Sequence, residues 1–377
     1  MNIIIAGDFT TEDRGDGAVR KENAISDDIK GLLRSSDYCI VNLEAPVAND
    51  SHKPLSKSGP NLKTRDQTIK YLKDCGFHAV TLANNHFCDY GKGGVQLTIE
   101  KIEEHGLDHV GGGRTKEELE KPLVHHSKEG TIAILNYCEH EFSIQSGYGS
   151  NALDPIKVFY DIQKVKNGAD IIIIIVHGGS EGYQLPSPRM QELYRCFVDM
   201  GANAVVNHHQ HCYSGYEKYH GGIIYYGLGN FFFDDKNAND SIWNEGYLVK
   251  FDVNNKRITE QTILPYEQCL NDRIDVHLMA KGKEERFYKS ISKLNSIIAD
   301  ETKLEKEFRS FCQLKSNNYY SAFSPYSNRY LRYLCKHGLL PSFVGKSKRY
   351  ELLNYLECES HWDILTYSLK SKIQERL

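Results

Sequence analysis

The sequence predicts an α/β protein: two packed β-sheets flanked by helices, followed by a helical appendage rich in aromatic residues and in Lys and Arg. Three observations carry that prediction. Short apolar runs alternate with amphipathic stretches through the first half of the chain. After Asn207 strand-like runs follow one another without helices between them, and beyond Asp275 strand signals stop.

In chain order, strands are expected at Asn2–Ala6, Tyr38–Val41, Ala79–Leu82, Thr131–Asn136, Ile171–Val176 and Ala204–Val206. Helices are expected at Asp27–Arg34, Gln67–Asp74 and Gly94–His105, where apolar residues recur at helical spacing. Ile171–Val176 has no polar alternation, as a central strand covered on both faces requires. Gly222–Leu228, Gly246–Val253 and Arg257–Leu264 read as successive strands of the second sheet. Lys283–Ile298 and Lys303–Leu314 then read as amphipathic helices, which divides the chain into a body, residues 1–270, and an appendage, residues 275–377. The segment Asn49–Lys63, rich in Ser, Lys and Pro, is expected to be a mobile loop.

Composition narrows the class. With 40% hydrophobic and 25% charged residues, 10 Pro and 30 Gly among 377, disordered, collagen-like and low-complexity chains are excluded. A formal charge of −4 gives no reason to expect nucleic acid or an anionic membrane as partner. The charge is uneven, +6 from Asp275 onward and −10 before it. Ten cysteines without a C-x-x-C pair read as reduced thiols. No run reaches the roughly 18 apolar residues of a membrane span, and Met1–Ala6 enters a strand without a signal-peptide pattern, so a cytoplasmic location is expected.

Metal-binding residue types stand at the C-terminal ends of the expected strands, where open α/β sheets place their ligands. The ends read Gly7-Asp8, Asn42-Leu43-Glu44, Ala83-Asn84-Asn85-His86, His177-Gly178-Gly179 and Asn207-His208-His209-Gln210-His211. Any one of these has an ordinary structural role as a cap, a turn or a packed imidazole. Five equivalent strand ends together point to a metal or phosphate site. Carboxylates from Asp8 and Glu44, an amide oxygen from Asn85 and imidazoles from His177, His209 and His211 suit Mn²⁺, Zn²⁺ or Fe²⁺. Six ligands exceed what one ion takes while keeping a place for water, whereas two ions about 3.5–4 Å apart would use them all.

With Asp89-Tyr90-Gly91, Ser180-Glu181 and Tyr226-Gly227-Leu228-Gly229-Asn230-Phe231 added, this succession resembles the CapA-type capsule and poly-γ-glutamate biosynthesis proteins, a branch of the calcineurin-like metallophosphoesterases. The resemblance covers about Asn2–Leu264. It implies a four-layer fold with helices outside two sheets. It also implies that Asp8 binds one metal, Glu44 bridges both, Asn85, His177 and His209 bind the second, and His211 completes the first. His86 would be the acid that protonates the leaving oxygen. Three departures stand out: Asp8-Phe9-Thr10 lacks the His of the superfamily's D-x-H, Glu44 replaces an Asp, and Gly178 replaces the Trp of H-W-G-x-E-Y.

Glu181 follows a ligand strand in a Gly-rich loop, where a carboxylate could take a proton, bind an ammonium group or orient a histidine; it joins His86 as a candidate catalytic residue. Arg189 and Gln191, after Pro186-Ser187-Pro188, read as a solvated first helical turn, and Gly111–Arg114 as a tight loop rather than a phosphate cradle. Asn230 is a turn former or an orienter of nearby loops. Tyr319, Tyr320, Tyr326, Tyr330, Tyr333 and Tyr350, set among Arg329, Arg332, Lys346, Lys348 and Arg349, are expected to pack on the body. The resemblance thus implies a metal-dependent hydrolase, acting on a phosphoester or an amide, in the synthesis or modification of a capsule or poly-γ-glutamate-like polymer. Its expected partners are an anionic polymer or a phosphorylated or γ-glutamyl precursor, and other polymer-synthesis proteins. A non-catalytic metal-containing module that binds such a polymer is the alternative.

Overall fold

The computed structural model describes residues 1–11, 14–57, 59–235, 241–322, 328–341, 344–345, 348–349, 352 and 356, with side chains for all but 14 and 316–322. It forms two compact units, Met1–Glu305 and Lys306–Leu377.

The first unit holds two large sheets. One has the strand order Val276–Leu278, Arg257–Gln268, Glu245–Asn254, Asn2–Phe9, Tyr38–Leu43, Ala79–Thr81, Asp108–Val110, with Asn230–Phe232 beside the end of Asn2–Phe9. The other runs Tyr216–Tyr219, Gly222–Tyr225, Ala204–His208, Ile171–His177, Gly130–Cys138, Leu123–Ser127. The expected assignment of strands to sheets is corrected in two places. Glu245–Asn254 pairs antiparallel with Asn2–Phe9, so the late hairpin extends the first sheet. Gly130–Cys138, Ile171–His177 and Ala204–His208 lie parallel to one another and form the centre of the second sheet. These strands are buried on both faces, so their apolar runs carry no mark of sheet membership.

Side-chain alternation along the strands builds the layers. Ile3, Ile5 and Ile40 of the first sheet meet Ile134, Ile173, Ile175 and Val206 of the second in an inter-sheet core. Ile4, Cys39 and Val41 point the other way, onto Ile29, Leu33, Ile69, Leu72 and Ile99 of the outer helices. On the far side Ile172, Ile174 and Val205 pack on Val158, Ile162, Tyr194 and Phe197. The result is the helix–sheet–sheet–helix order expected from sequence.

Helix Lys281–Ile298, which the sequence reading gave to the appendage, packs into the first unit. Phe287 and Ile291 enter the inter-sheet core, and Ile298 the outer core. Asn295 Oδ1 accepts from Tyr216 N at 2.7 Å, and Ile298 O accepts from Gln191 Nε2 at 2.8 Å. Each such buried side chain contributes about 1.5–3 kcal/mol, so residues 281–298 belong energetically to the body. Gln191 is therefore an anchor for this helix rather than a solvated residue.

In the second unit, helix Arg329–Lys336 is capped by Asn328, whose Oδ1 accepts from Tyr330 N at 2.8 Å, and it buries no side chain. Tyr330 and Tyr333 are exposed, and Arg329 lies over the Tyr330 ring. Tyr326, Tyr350 and Lys346 lie outside the described residues, as do the side chains of Tyr319 and Tyr320. Among the described residues, no helix is long and apolar enough to cross a membrane.

Candidate metal centre

Register brings the strand ends together. Asp8 pairs across the first sheet with Asn42 and Asn230, and His177 pairs across the second with His208. Because the two sheets stack face to face, their C-terminal edges open on the same place. Asp8, Glu44, Asn85, His177, His209 and His211 are all buried.

Two left-handed residues complete the convergence. In an extended strand His208 and His209 would face opposite sides. Instead φ is 87° at His209 and 54° at His211, which ends the strand and turns the imidazoles toward the sheet edge. Such a backbone costs roughly 1–2 kcal/mol per residue and persists only where the surroundings fix it. Asp8 Oδ2 accepts from His209 N at 3.1 Å and does part of that fixing.

The donor spacing fits metal ions. Two atoms held by one ion at about 2.1 Å lie roughly 3–4 Å apart. His177 Nε2 is 3.0 Å from Asn85 Oδ1, 3.1 Å from His209 Nδ1 and 3.8 Å from Glu44 Oε1. On the other side, His211 Nε2 is 3.6 Å from Glu44 Oε1, and Asp8 Oδ2 is 3.7 Å from the His211 ring. Asp8, Glu44 and His211 form one group, Glu44, His177 and His209 another, and Glu44 is common to both. Among the described residues, neither oxygen of Glu44 has a hydrogen-bond partner. A buried carboxylate left so is costly, and burial, then the neighbouring Asp8 charge, push its pKa well above the carboxylate range. Burial, then the His209 ring, push His177 well below the usual imidazole value, which keeps its lone pair available. The donors suit a divalent metal.

Polar neighbours orient the donors. Asn42 Nδ2 donates to Asp8 Oδ1 at 2.7 Å, while Asn42 Oδ1 accepts from Thr81 and Asn84. His211 Nδ1 donates to Asn230 Oδ1 at 2.9 Å, leaving Nε2 free toward Glu44, so Asn230 orients a ligand candidate. Phe233 and Trp243 flank the His211 ring at 5.3 and 4.9 Å. They supply an aromatic wall beside His211, whereas a Cβ at Gly178 would meet the Glu139 side chain at 2.7 Å.

The chain belongs to the bacterial capsule synthesis protein PGA_cap family. That family's model matches residues 2–235, which include every candidate ligand. This PGA_cap chain is 35% identical over 217 residues to the capsule biosynthesis protein CapA of Bacillus anthracis, covering 55% of this chain and 53% of that one. It is 33% identical over 216 residues to the PGA biosynthesis protein CapA of Bacillus subtilis (strain 168), covering 55% and 56%. The chain spans about half the length of these curated relatives. Among solved structures, a hypothetical protein from Thermus thermophilus aligns at TM-score 0.47 and 12% identity over 71% of this chain and 99% of that one.

His86 and Glu181 stand on the rim of the site. His86 Nδ1 is 2.6 Å from Asp89 Oδ2. Asp89 is fully buried and ion-pairs with Lys57, whose ammonium also lies 3.2 Å from His86 Nδ1. Leu62 N donates to Asp89 Oδ2 at 2.6 Å and Leu55 N to Asp89 O at 2.7 Å. The segment expected to be a mobile loop is thus tied to Asp89 at three points. Sequence reasoning missed Lys57 because only the fold brings it to His86; Asp89 was visible in the Asp-Tyr-Gly motif but had no assigned role. Glu181 is exposed, and a carboxylate oxygen of it converges with His209 and His211. Arg189 pairs with Glu139 at 2.5 Å, and Arg114 is held by Glu103 and Glu118, so neither is a free anion-binding cation.

Proposed function

We propose that this protein is a metal-dependent hydrolase that cleaves a phosphoester or amide bond during synthesis or modification of a capsule or poly-γ-glutamate-like polymer. The observation that carries this reading is the meeting of imidazole, amide and carboxylate donors around Glu44, whose two buried oxygens have no hydrogen-bond partner among the described residues. Asp8, Glu44 and His211 would hold one ion, and Glu44, Asn85, His177 and His209 the other, with Mn²⁺, Zn²⁺ or Fe²⁺ matching the donor set. Divalent ions bound there supply Lewis acidity.

The chain's own residues do the rest. Asp8 and Asn230 hold the His209 backbone and the His211 ring in place. Asp89 accepts from His86 Nδ1, leaving Nε2 to deliver a proton to the departing oxygen or nitrogen. Family membership supports a polymer or its phosphorylated or γ-glutamyl precursor as substrate, and the nine described cysteines, none of them in a disulfide, support a reducing, cytoplasmic setting. The test is turnover by the full chain loaded with Mn²⁺, offered a bis-nitrophenyl phosphodiester and a γ-glutamyl anilide. Hydrolysis of either supports the proposal. Bound metal with no hydrolysis of either leaves the polymer-binding module in its place.

A further inference from the structure

Resting on that reading, we propose that Glu181 is a ligand of the ion on the Asp8–His211 side, completing a position that the first strand leaves open. The two sides of the site are unequal. Asn85, His177, His209 and Glu44 offer four donors on one side, whereas Asp8, Glu44 and His211 offer three on the other. The residue two after Asp8, just past the end of its strand, is Thr10, a buried hydroxyl in place of an imidazole. A three-donor side built around one shared carboxylate is short of a protein ligand.

Glu181 meets the requirement from the opposite direction. One of its carboxylate oxygens lies within 4.8 Å of ring nitrogens of both His209 and His211. Glu181 rides on a turn between Gly179 and Gly182, both left-handed at φ 102° and 71°, so the backbone there is shaped by residues without side-chain constraint. The other candidates converge elsewhere. Glu141 faces His209 Nε2 at 3.9 Å, the nitrogen opposite the one that meets His177. His208 groups with Asp8 and His177. A carboxylate is also the right exchange for an imidazole here, because it offers a hard oxygen to the same borderline ions and offsets their charge.

The experiment uses the full chain, stripped with a chelator and titrated with Mn²⁺ alone, followed by calorimetry, elemental analysis and electron paramagnetic resonance. Wild type should bind two ions and give a spin-coupled signal. Glu181→Gln, a change at an exposed residue that leaves folding intact, should bind one of the two at least tenfold more weakly and show an isolated Mn²⁺ signal. His211→Ala should lose that same ion, and the double variant should lose no more than the worse single variant. Wild type that binds no ion removes the hydrolase reading itself. Wild type that binds two, with Glu181→Gln indistinguishable from it, overturns this inference alone, as does loss of a further ion in the double variant.

Discussion

Two buried carboxylates lie in this protein under opposite conditions. Asp161, on the outer helix Pro155–Val165, is 5% exposed and holds Lys157 at 2.6 Å, Lys164 at 3.0 Å and the Tyr137 hydroxyl at 3.1 Å. Burial alone would raise its pKa, but the two lysines bring it below the usual carboxylate range. Glu44 is fully buried, has no hydrogen-bond partner on either oxygen among the described residues, and is pushed well above that range by burial and by Asp8. A carboxylate kept for stability is surrounded with the protein's own donors. Glu44 has His177, His211 and Asp8 around it instead, a donor set that suits a cation.

Three experiments bear on this contrast, beginning with the largest effect. If the Glu44 region performs chemistry, His86→Gln should leave metal content nearly unchanged and lower turnover about 10²- to 10⁴-fold, or roughly 3–5 kcal/mol of barrier. The loss should shrink when a nitrophenolate leaves and grow with leaving-group pKa. Metal loss in this variant would make His86 a ligand, and an equal defect for all leaving groups would exclude a general-acid role. Next, His209→Ala should weaken metal binding by more than the 10- to 100-fold typical of supporting residues, as elemental analysis after dialysis would show.

The third experiment sets the two carboxylates against each other. Asp161→Asn should destabilise the protein by about 1.5–3 kcal/mol, because it weakens charge-assisted bonds and leaves two lysines poorly paired. Glu44→Gln should do the reverse in metal-free protein. The folded pKa of Glu44 lies above its ordinary value of 4.5, so folding takes up a proton that the unfolded chain releases. The advantage of Gln should therefore be absent below about pH 4.5 and grow as pH rises. Urea titrations of both variants against wild type at pH 5 and pH 8 would settle it, and parallel losses at both positions would erase the distinction.

Much of the site was legible because strand ends are legible. An apolar run that stops at Asp8, Asn42, Asn85, His177 or Asn207 marks the sheet edge, and the residue types there carry their own chemistry. The layer order followed from Ile171–Val176, which requires cover on both faces. Sheet membership was not legible, since Gly246–Val253 and Gly222–Tyr225 have similar apolar runs and only hydrogen-bond pairing separates them. The body's true extent was hidden because Phe287 and Ile291 on an amphipathic helix do not say which surface they cover. Lys57 was hidden more deeply: a lysine in a Ser- and Pro-rich segment reads as solvated, and its ion pair with Asp89 spans 32 residues of chain.

The smallest expected effect extends the comparison to histidine. His277, on the edge strand Val276–Leu278, is 3.1 Å from Asp275 and 3.7 Å from Glu267, and these partners raise its pKa from 6.5 to about 9. His177 is shifted the other way by burial. A raised folded pKa means that the stabilising contribution of His277 is fully present below about pH 6.5 and is lost as pH rises through about 9. The group is partly open to water, so screening reduces the gain to about 1 kcal/mol. His277→Gln should therefore cost about 1 kcal/mol at pH 6 and nothing measurable at pH 10, where the neighbouring pair of Lys283 and Glu267 still tethers the strand. Urea unfolding of metal-free protein at the two pH values reads the difference. An equal cost at both would mean that His277 acts through its ring's packing rather than its charge, and it would no longer stand as the paired counterpart of His177.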